Sequence, residues 1–147
     1  MDEQDIKFKA FSLGSAMRKV VFVCVHNAGR SQMAEAFFNK MAKGKAVAIS
    51  AGTDPAAQVN PVVIEAMREA GIDISHQKPK MLTFEMLQDA ERVITMGCSV
   101  EEVCPATFIP TEDWELDDPQ GKALAEVRRI RDRIKAKVEE LVKELNS

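Results

Sequence analysis

The sequence has few cysteines and histidines, no excess of positive charge and no long apolar run. Its three cysteines are an odd number, which disfavours a disulfide-held scaffold, and its two histidines lack ligand-like spacing, which disfavours a zinc site. No apolar run approaches the ~18 residues that a membrane helix needs, and the N-terminus lacks the apolar core of a secretory signal. The net charge of −3 argues against binding nucleic acid by charge alone.

The composition is instead that of one ordinary globular domain. Of the 147 residues, 46% are hydrophobic and 29% charged, which excludes wholesale disorder and provides a core without disulfides. We expect a soluble, cytoplasmic monomer with no cofactor and no metal. Residues 1–16 show no clear period and are interpreted as a flexible N-terminal extension, whereas residues 17–147 form the predicted domain.

Four short segments of this domain are typical of buried strands. In the first of them, apolar and β-branched residues follow one another without alternation, which indicates a strand buried on both faces. The predicted strands are Val20–Val23, Ala46–Ala51, Arg92–Met96 and Ala106–Ile109.

Helices are predicted between and after these strands. The first carries Met33, Phe37 and Met41, which recur every four residues on one face. Caps, end signals and apolar faces define the others. The second predicted helix begins at the cap Asn60-Pro61 and ends at Gly71. The third covers residues 83–88, and the fourth has an apolar face from Leu124 to Leu141.

Strands alternating with helices indicate an α/β domain with a doubly wound, four-stranded parallel sheet and helices on both faces. Ligands of such sheets bind beyond the carboxyl ends of the strands. The loop after the first strand is therefore the expected site.

That loop, residues 24–31, has the composition of an anion-binding site. Its backbone N–H groups can form a nest, and the following helix adds the positive end of its dipole. Gly29 permits close approach of a ligand, and Arg30 can offer a planar fork to two oxygens. The same field favours the thiolate form of Cys24, to which Ser31 can donate. The predicted oxyanion-binding residues are Val25, His26, Asn27, Ala28, Gly29, Arg30 and Ser31. The alternative is that Cys24 is simply a buried cysteine at a strand end.

The pattern of a cysteine, five residues, an arginine and a serine resembles the phosphate-binding loop of the low-molecular-weight protein tyrosine phosphatase superfamily. Within it, the chain is more similar to the thioredoxin-coupled arsenate reductases, over residues 18–145. The stretches that carry the resemblance include Arg30–Glu35, Ser50–Gly52, Asn60–Pro61, Gly71–Ser75, Val93–Met96, Cys104–Pro105 and Trp114–Pro119.

The resemblance implies a nucleophile and a general acid. Cys24 would attack the central atom of a bound oxyanion, and Asp118, just before Pro119, would protonate the leaving oxygen. From the residues alone, this segment is an ordinary acidic turn before the last helix. Only the resemblance selects Asp118 over Asp117.

The resemblance also implies roles for the other two thiols. Cys98 would attack the sulfur of Cys24 and expel arsenite, and Cys104 would then take over the disulfide and present it to a thioredoxin-like donor. Two alternatives stay open. One is a phosphatase acting on phosphotyrosine or aryl phosphates through a phosphocysteine, and the other is a non-catalytic anion-binding or redox-sensing module.

Some positions differ from the relatives. Many members of the family carry a further cysteine in this loop, at the position where this chain has Gly29. Cys24 therefore has no loop thiol with which to form a disulfide. Glu35 and Ser50 fall where relatives organise the loop or a potassium ion. Lys80 stands near the place of an acidic ligand of that ion, which argues against potassium dependence.

Overall fold

The computed structural model describes residues 18–97 and 111–146. The strands are β1 (Arg18–Cys24), β2 (Ala46–Gly52), β3 (Arg92–Thr95) and β4 (Thr111–Asp113). The helices are α1 (Arg30–Ala42), α2 (Pro61–Glu69), α3 (Phe84–Gln88) and α4 (Leu124–Asn146).

The four strands form one parallel sheet in the order β2-β1-β3-β4. The first strand thus has a neighbour on each side, with Cys24 opposite Gly52 of β2 and Val23 opposite Thr95 of β3. The predicted α/β class and four-stranded parallel sheet are confirmed. Because β1 is a central strand, side chains from several elements can converge at its carboxyl end.

Helices cover both faces of the sheet, as the sequence predicts. Alternate residues of β1 point to opposite faces, so Val20 and Phe22 join the larger apolar cluster with α1, α2 and α4. Val21 and Val23 lie in a smaller cluster with Leu87 of α3. Cys24 belongs to the larger cluster and is only 2% exposed.

The last helix, α4, is amphipathic in the predicted way. One face is buried against the core, and the opposite face is charged. Its buried residues are Val127, Ile130, Ile134, Val138, Leu141 and Leu145. Across residues 18–97 and 111–146, the structure contains no helix with the length and apolar character that a membrane crossing requires.

The first three predicted strands and all four predicted helices are present, with ends that differ by a few residues. The cap prediction is also confirmed, because the side chain of Asn60 accepts a hydrogen bond from Val62 N. The predicted strand Ala106–Ile109 and the extension 1–16 lie outside the described residues. The fourth strand that the structure describes is Thr111–Asp113, whose three exposed residues have no apolar pattern to reveal it.

Candidate active site

The loop between β1 and α1 is held from outside by the segment that follows β2. The carbonyl of Val25 accepts from Asp54 N at 2.8 Å, and that of Ala28 accepts from Asn60 N at 2.9 Å. His26 adds a side-chain contact, since its Nδ1 lies 3.0 Å from the carbonyl oxygen of Asp54. A carbonyl can only accept, so this ring nitrogen is the donor. The segment that follows β2 therefore supports the loop through both main-chain and side-chain contacts.

Two polar groups of the loop contact the sulfur of Cys24. Ser31 Oγ lies 2.8 Å from Cys24 Sγ, and the backbone N–H of Asn27 donates to the sulfur at 3.3 Å. Helix α1 starts after Gly29 without a side-chain cap, so the first N–H groups of a 13-residue helix remain for a ligand. Donors around a sulfur stabilise its anionic form, which is the nucleophile.

Asn27 is the brace of the loop. It is fully buried and has a positive φ of 50°, a left-handed conformation that asparagine adopts more readily than most non-glycine residues. Its Nδ2 donates to Ser31 Oγ at 2.7 Å and to Ser50 Oγ at 3.0 Å. Its Oδ1 accepts from Gln32 Nε2 at 3.0 Å and from Lys80 N at 2.9 Å. Because Asn27 gives both amide protons to serines, Ser31 has its own proton to donate to the sulfur.

Arg30 is buried beside the loop, with 6% of its surface exposed. Its Nη1 donates to the carbonyl of Leu116 at 3.1 Å, and its Nη2 lies 3.7 Å from Asp118 Oδ2. Gly97, with φ of 87°, lies directly against the guanidinium, where any Cβ would collide with it. A planar fork held in this way suits two oxygens of a tetrahedral anion.

A cavity of about 590 Å³ opens at the sulfur. It is lined by Cys24, by the loop from His26 to Arg30 except Asn27, by residues of the segment 54–61, and by Asp118 to Gly121. Asp118 is half-exposed, and its Oδ1 accepts from Gln120 N at 3.0 Å. Asp117 is not one of the described residues that line this cavity. The structure thus brings Cys24, Arg30 and Asp118 to one space.

Some of the predicted site residues are not among those that line this cavity. Val25, Asn27 and Ser31 of the predicted oxyanion-binding set do not line the cavity, and the latter two brace the sulfur from behind. Cys98 and Cys104 lie outside the described residues. In the part of the chain that the structure describes, no three His, Cys, Asp or Glu side chains gather as a metal site would require.

The sequence does not predict several contacts of the site. Gln32 is buried and its Nε2 holds Asn27, while its Oε1 has no hydrogen-bond partner among residues 18–97 and 111–146. The carbonyl of Leu116 and the backbone N–H of Lys80 anchor Arg30 and Asn27. Backbone atoms of this kind have no sequence signature. The glycine at position 97 is the one signal that could have indicated close packing.

We expect Gly97→Ala to weaken oxyanion binding, because the new Cβ displaces the Arg30 guanidinium. Loss of a charge-assisted hydrogen bond costs roughly 1.5–3 kcal/mol, so the dissociation constant for inorganic phosphate should rise about 10- to 100-fold. Isothermal titration calorimetry measures this constant. Gly44→Ala is the matched control, since it also places an alanine at a positive φ, but with nothing within 4 Å of the new Cβ. Equal phosphate binding in both variants would contradict the assigned contact.

The sheet and its cysteine-containing loop define a class of α/β protein built to hold a tetrahedral anion. The chain belongs to the low-molecular-weight phosphotyrosine protein phosphatase family, whose sequence model matches residues 19–147. It is 37% identical to the glutaredoxin arsenate reductase of Synechocystis over 88% of this chain and all of that protein. A thioredoxin-dependent arsenate reductase of Corynebacterium glutamicum has a TM-score of 0.77 and 37% identity, over 90% of this chain and 63% of that one. An arsenate reductase in a phosphate-binding state has a TM-score of 0.76 and 37% identity, over 87% of this chain and 98% of that one.

Proposed function

We propose that this protein is an arsenate reductase that uses Cys24, Cys98 and Cys104 in turn and takes its electrons from a reduced thioredoxin-like protein. The observation that carries the proposal is the loop itself, in which Ser31 and Asn27 contact the buried sulfur of Cys24. The arsenate reductases to which the chain is 37% identical support the choice of arsenate. Phosphate and arsenate share shape and charge, so one loop suits both.

The first step forms a bond between sulfur and arsenic. Arsenate lies in the loop with two oxygens on the Arg30 fork, and the thiolate of Cys24 attacks the arsenic. One arsenic oxygen takes up protons and leaves as water, and Asp118, which lines the same cavity, is the proposed proton donor. Arsenic is still in its pentavalent state after this step.

The second and third steps move two electrons. The thiolate of Cys98 attacks the sulfur of Cys24, and the electron pair of the sulfur–arsenic bond stays on arsenic, which leaves as arsenite. Cys104 then attacks Cys98 and releases Cys24 as a thiolate. The resulting Cys98–Cys104 disulfide is reduced by the dithiol of the donor, which becomes a disulfide itself.

A coupled assay tests this proposal and its electron donor. We expect arsenate to cause NADPH oxidation in the presence of thioredoxin and thioredoxin reductase. Glutathione with glutaredoxin and glutathione reductase is the second arm, because one relative is a glutaredoxin arsenate reductase. Turnover only in the second arm would reject the thioredoxin-like donor, and turnover in neither arm would reject the reductase.

A second candidate function is hydrolysis of phosphate esters. The cavity of about 590 Å³ falls among ligand pockets of roughly 300–1,000 Å³, which gives room for a leaving group beyond the oxyanion. None of its described lining residues is Phe, Tyr or Trp, and the smaller imidazole of His26 is the one aromatic ring among them, so the walls offer no large ring to stack on a phosphotyrosine. A small aryl phosphate is the appropriate probe. Hydrolysis needs only the nucleophile and the acid, since water resolves the phosphocysteine.

Asp118→Asn is expected to slow aryl phosphate turnover by roughly 10²–10⁴-fold, the usual contribution of a positioned general acid. The reason is that the amide occupies the same place in the cavity but cannot protonate the leaving oxygen. Steady-state kinetics with an aryl phosphate measure the loss. Asp117→Asn is the matched control. It removes the same charge one residue away, from a side chain that is not among the described residues lining the cavity. A larger loss for Asp117→Asn would mean that the acid is misassigned.

A further inference from the structure

Glu35 is a mostly buried carboxylate, with 13% of its side chain exposed, at the far end of a chain of hydrogen bonds from Cys24. Its Oε1 accepts from Ser50 Oγ at 2.6 Å, and Ser50 in turn accepts from Asn27 Nδ2. The same amide donates to Ser31, whose hydroxyl lies against the sulfur. In a buried network each bond polarises the next, so the charge state at Glu35 acts on the nucleophile.

Lys80 joins this network through both its main chain and its side chain. Its backbone N–H donates to Asn27 Oδ1, and its carbonyl accepts from Gly52 N at 2.8 Å. Its ammonium nitrogen lies 3.9 Å from Glu35 Oε1. The main-chain bonds anchor the backbone of Lys80 beside the loop, and from there its side chain, which is 39% exposed, brings the ammonium group to Glu35.

A potassium ion, which the family resemblance implies near Glu35 and Ser50, does not fit these residues. Such an ion needs several oxygens with free lone pairs. Asn27 Oδ1 already accepts two N–H groups, from Gln32 and Lys80. An added cation on Glu35 would also face the ammonium group that is already within ion-pairing distance.

We propose that Lys80 is a built-in counter-ion for Glu35 that positions the Cys24 thiolate through Ser50, Asn27 and Ser31, and that the protein needs no monovalent cation there. The inference rests on the proposed role of Cys24 as nucleophile, but not on arsenate as substrate. Lys80 is a positioning residue, because it acts on the sulfur through other side chains.

The test is the rate at which iodoacetamide alkylates Cys24, followed on the Cys24 peptide by mass spectrometry. Lys80→Met leaves the charge of Glu35 uncompensated and so disfavours negative charge on the sulfur, and the alkylation rate at neutral pH should fall roughly three- to tenfold. Lys80→Arg keeps the charge and should react like the wild type. The double variant Lys80→Met with Glu35→Gln removes both charges and should recover most of the rate, which a purely packing role would not produce.

Lys78→Met is the matched control, because Lys78 is exposed and close in sequence, and its loss changes the net charge equally. Its alkylation rate should stay at the wild-type value. The wild-type Tm should be the same in potassium chloride and choline chloride at equal ionic strength, since a bound ion would raise it. A potassium-specific rise in Tm, equal effects of the Lys78 and Lys80 variants, or no recovery in the double variant would overturn the inference. None of these outcomes depends on whether the protein reduces arsenate.

Discussion

Cys24→Ser is expected to abolish both arsenate reduction and aryl phosphate hydrolysis, with a loss on the order of 10⁵–10⁶-fold, the scale seen when a nucleophile is removed from an enzyme. The hydroxyl that replaces the thiol has no general base within hydrogen-bond distance, since its described neighbours are Ser31 and the backbone N–H of Asn27. Without deprotonation it cannot attack arsenic or phosphorus. Steady-state assays of both reactions measure the loss.

The site of this variant should otherwise stay intact. Serine is close to cysteine in shape, and the bonds of Asn27 to Ser31, Ser50 and Lys80 do not involve the sulfur. Phosphate affinity by calorimetry should therefore remain within about tenfold of the wild type, the effect of roughly one modest hydrogen bond. Retained turnover of either substrate would remove Cys24 from its role. Loss of phosphate binding together with turnover would show instead that the loop has collapsed.

How far the sequence predicts this site depends on how local each feature is. The loop is a contiguous segment between a strand and a helix, so its anion-binding chemistry follows from residues 24–31 alone. The apolar run before it and the helical periodicity after it are equally local. For that reason β1, α1 and the position of Cys24 at the carboxyl end of the sheet were predictable.

Contacts between distant segments could not be predicted in the same way. Arg30 is held by the carbonyl of Leu116, 86 residues away, and Asn27 by the N–H of Lys80, 53 residues away. Every residue has these backbone groups, so nothing in the sequence marks the ones that are used. The proposed general acid is an intermediate case. The turn at 117–118 alone does not distinguish its two aspartates, and in the structure only Asp118 lines the cavity with Cys24.

The short strand β4 illustrates a different limit. Its residues, Thr111–Asp113, are all exposed and carry no alternation, because the strand pairs with β3 at the edge of the sheet. Pattern reasoning detects burial, so an edge strand without a buried side escapes it. Asp113 still matters for the site, since its Oδ1 accepts from Gly97 N and from Thr95 Oγ1 at the end of β3. The bond from Gly97 N helps to hold Gly97 near Arg30.

Changing Cys98 or Cys104 to serine is expected to eliminate multiple-turnover arsenate reduction and to leave aryl phosphate hydrolysis unaffected. Reduction needs two further thiols to carry electrons away from Cys24, whereas water alone resolves a phosphocysteine. The coupled NADPH assay and the aryl phosphate assay, run on one preparation of each variant, measure both activities. The phosphatase assay also serves as the control for folding, because it requires the loop, Arg30 and Asp118 to be in place.

The order of the relay can be identified from the disulfide that each protein accumulates. Cys104→Ser should stop after one turnover with a Cys24–Cys98 disulfide, which mass spectrometry of a proteolytic digest detects. The wild type, oxidised by arsenate without a donor, should instead accumulate Cys98–Cys104. That bond requires the two Cα atoms to approach within about 7 Å. Full arsenate reduction by Cys104→Ser would refute the relay. Failure of the wild type to reduce arsenate, with hydrolysis of the aryl phosphate intact, would favour the phosphatase function over the reductase.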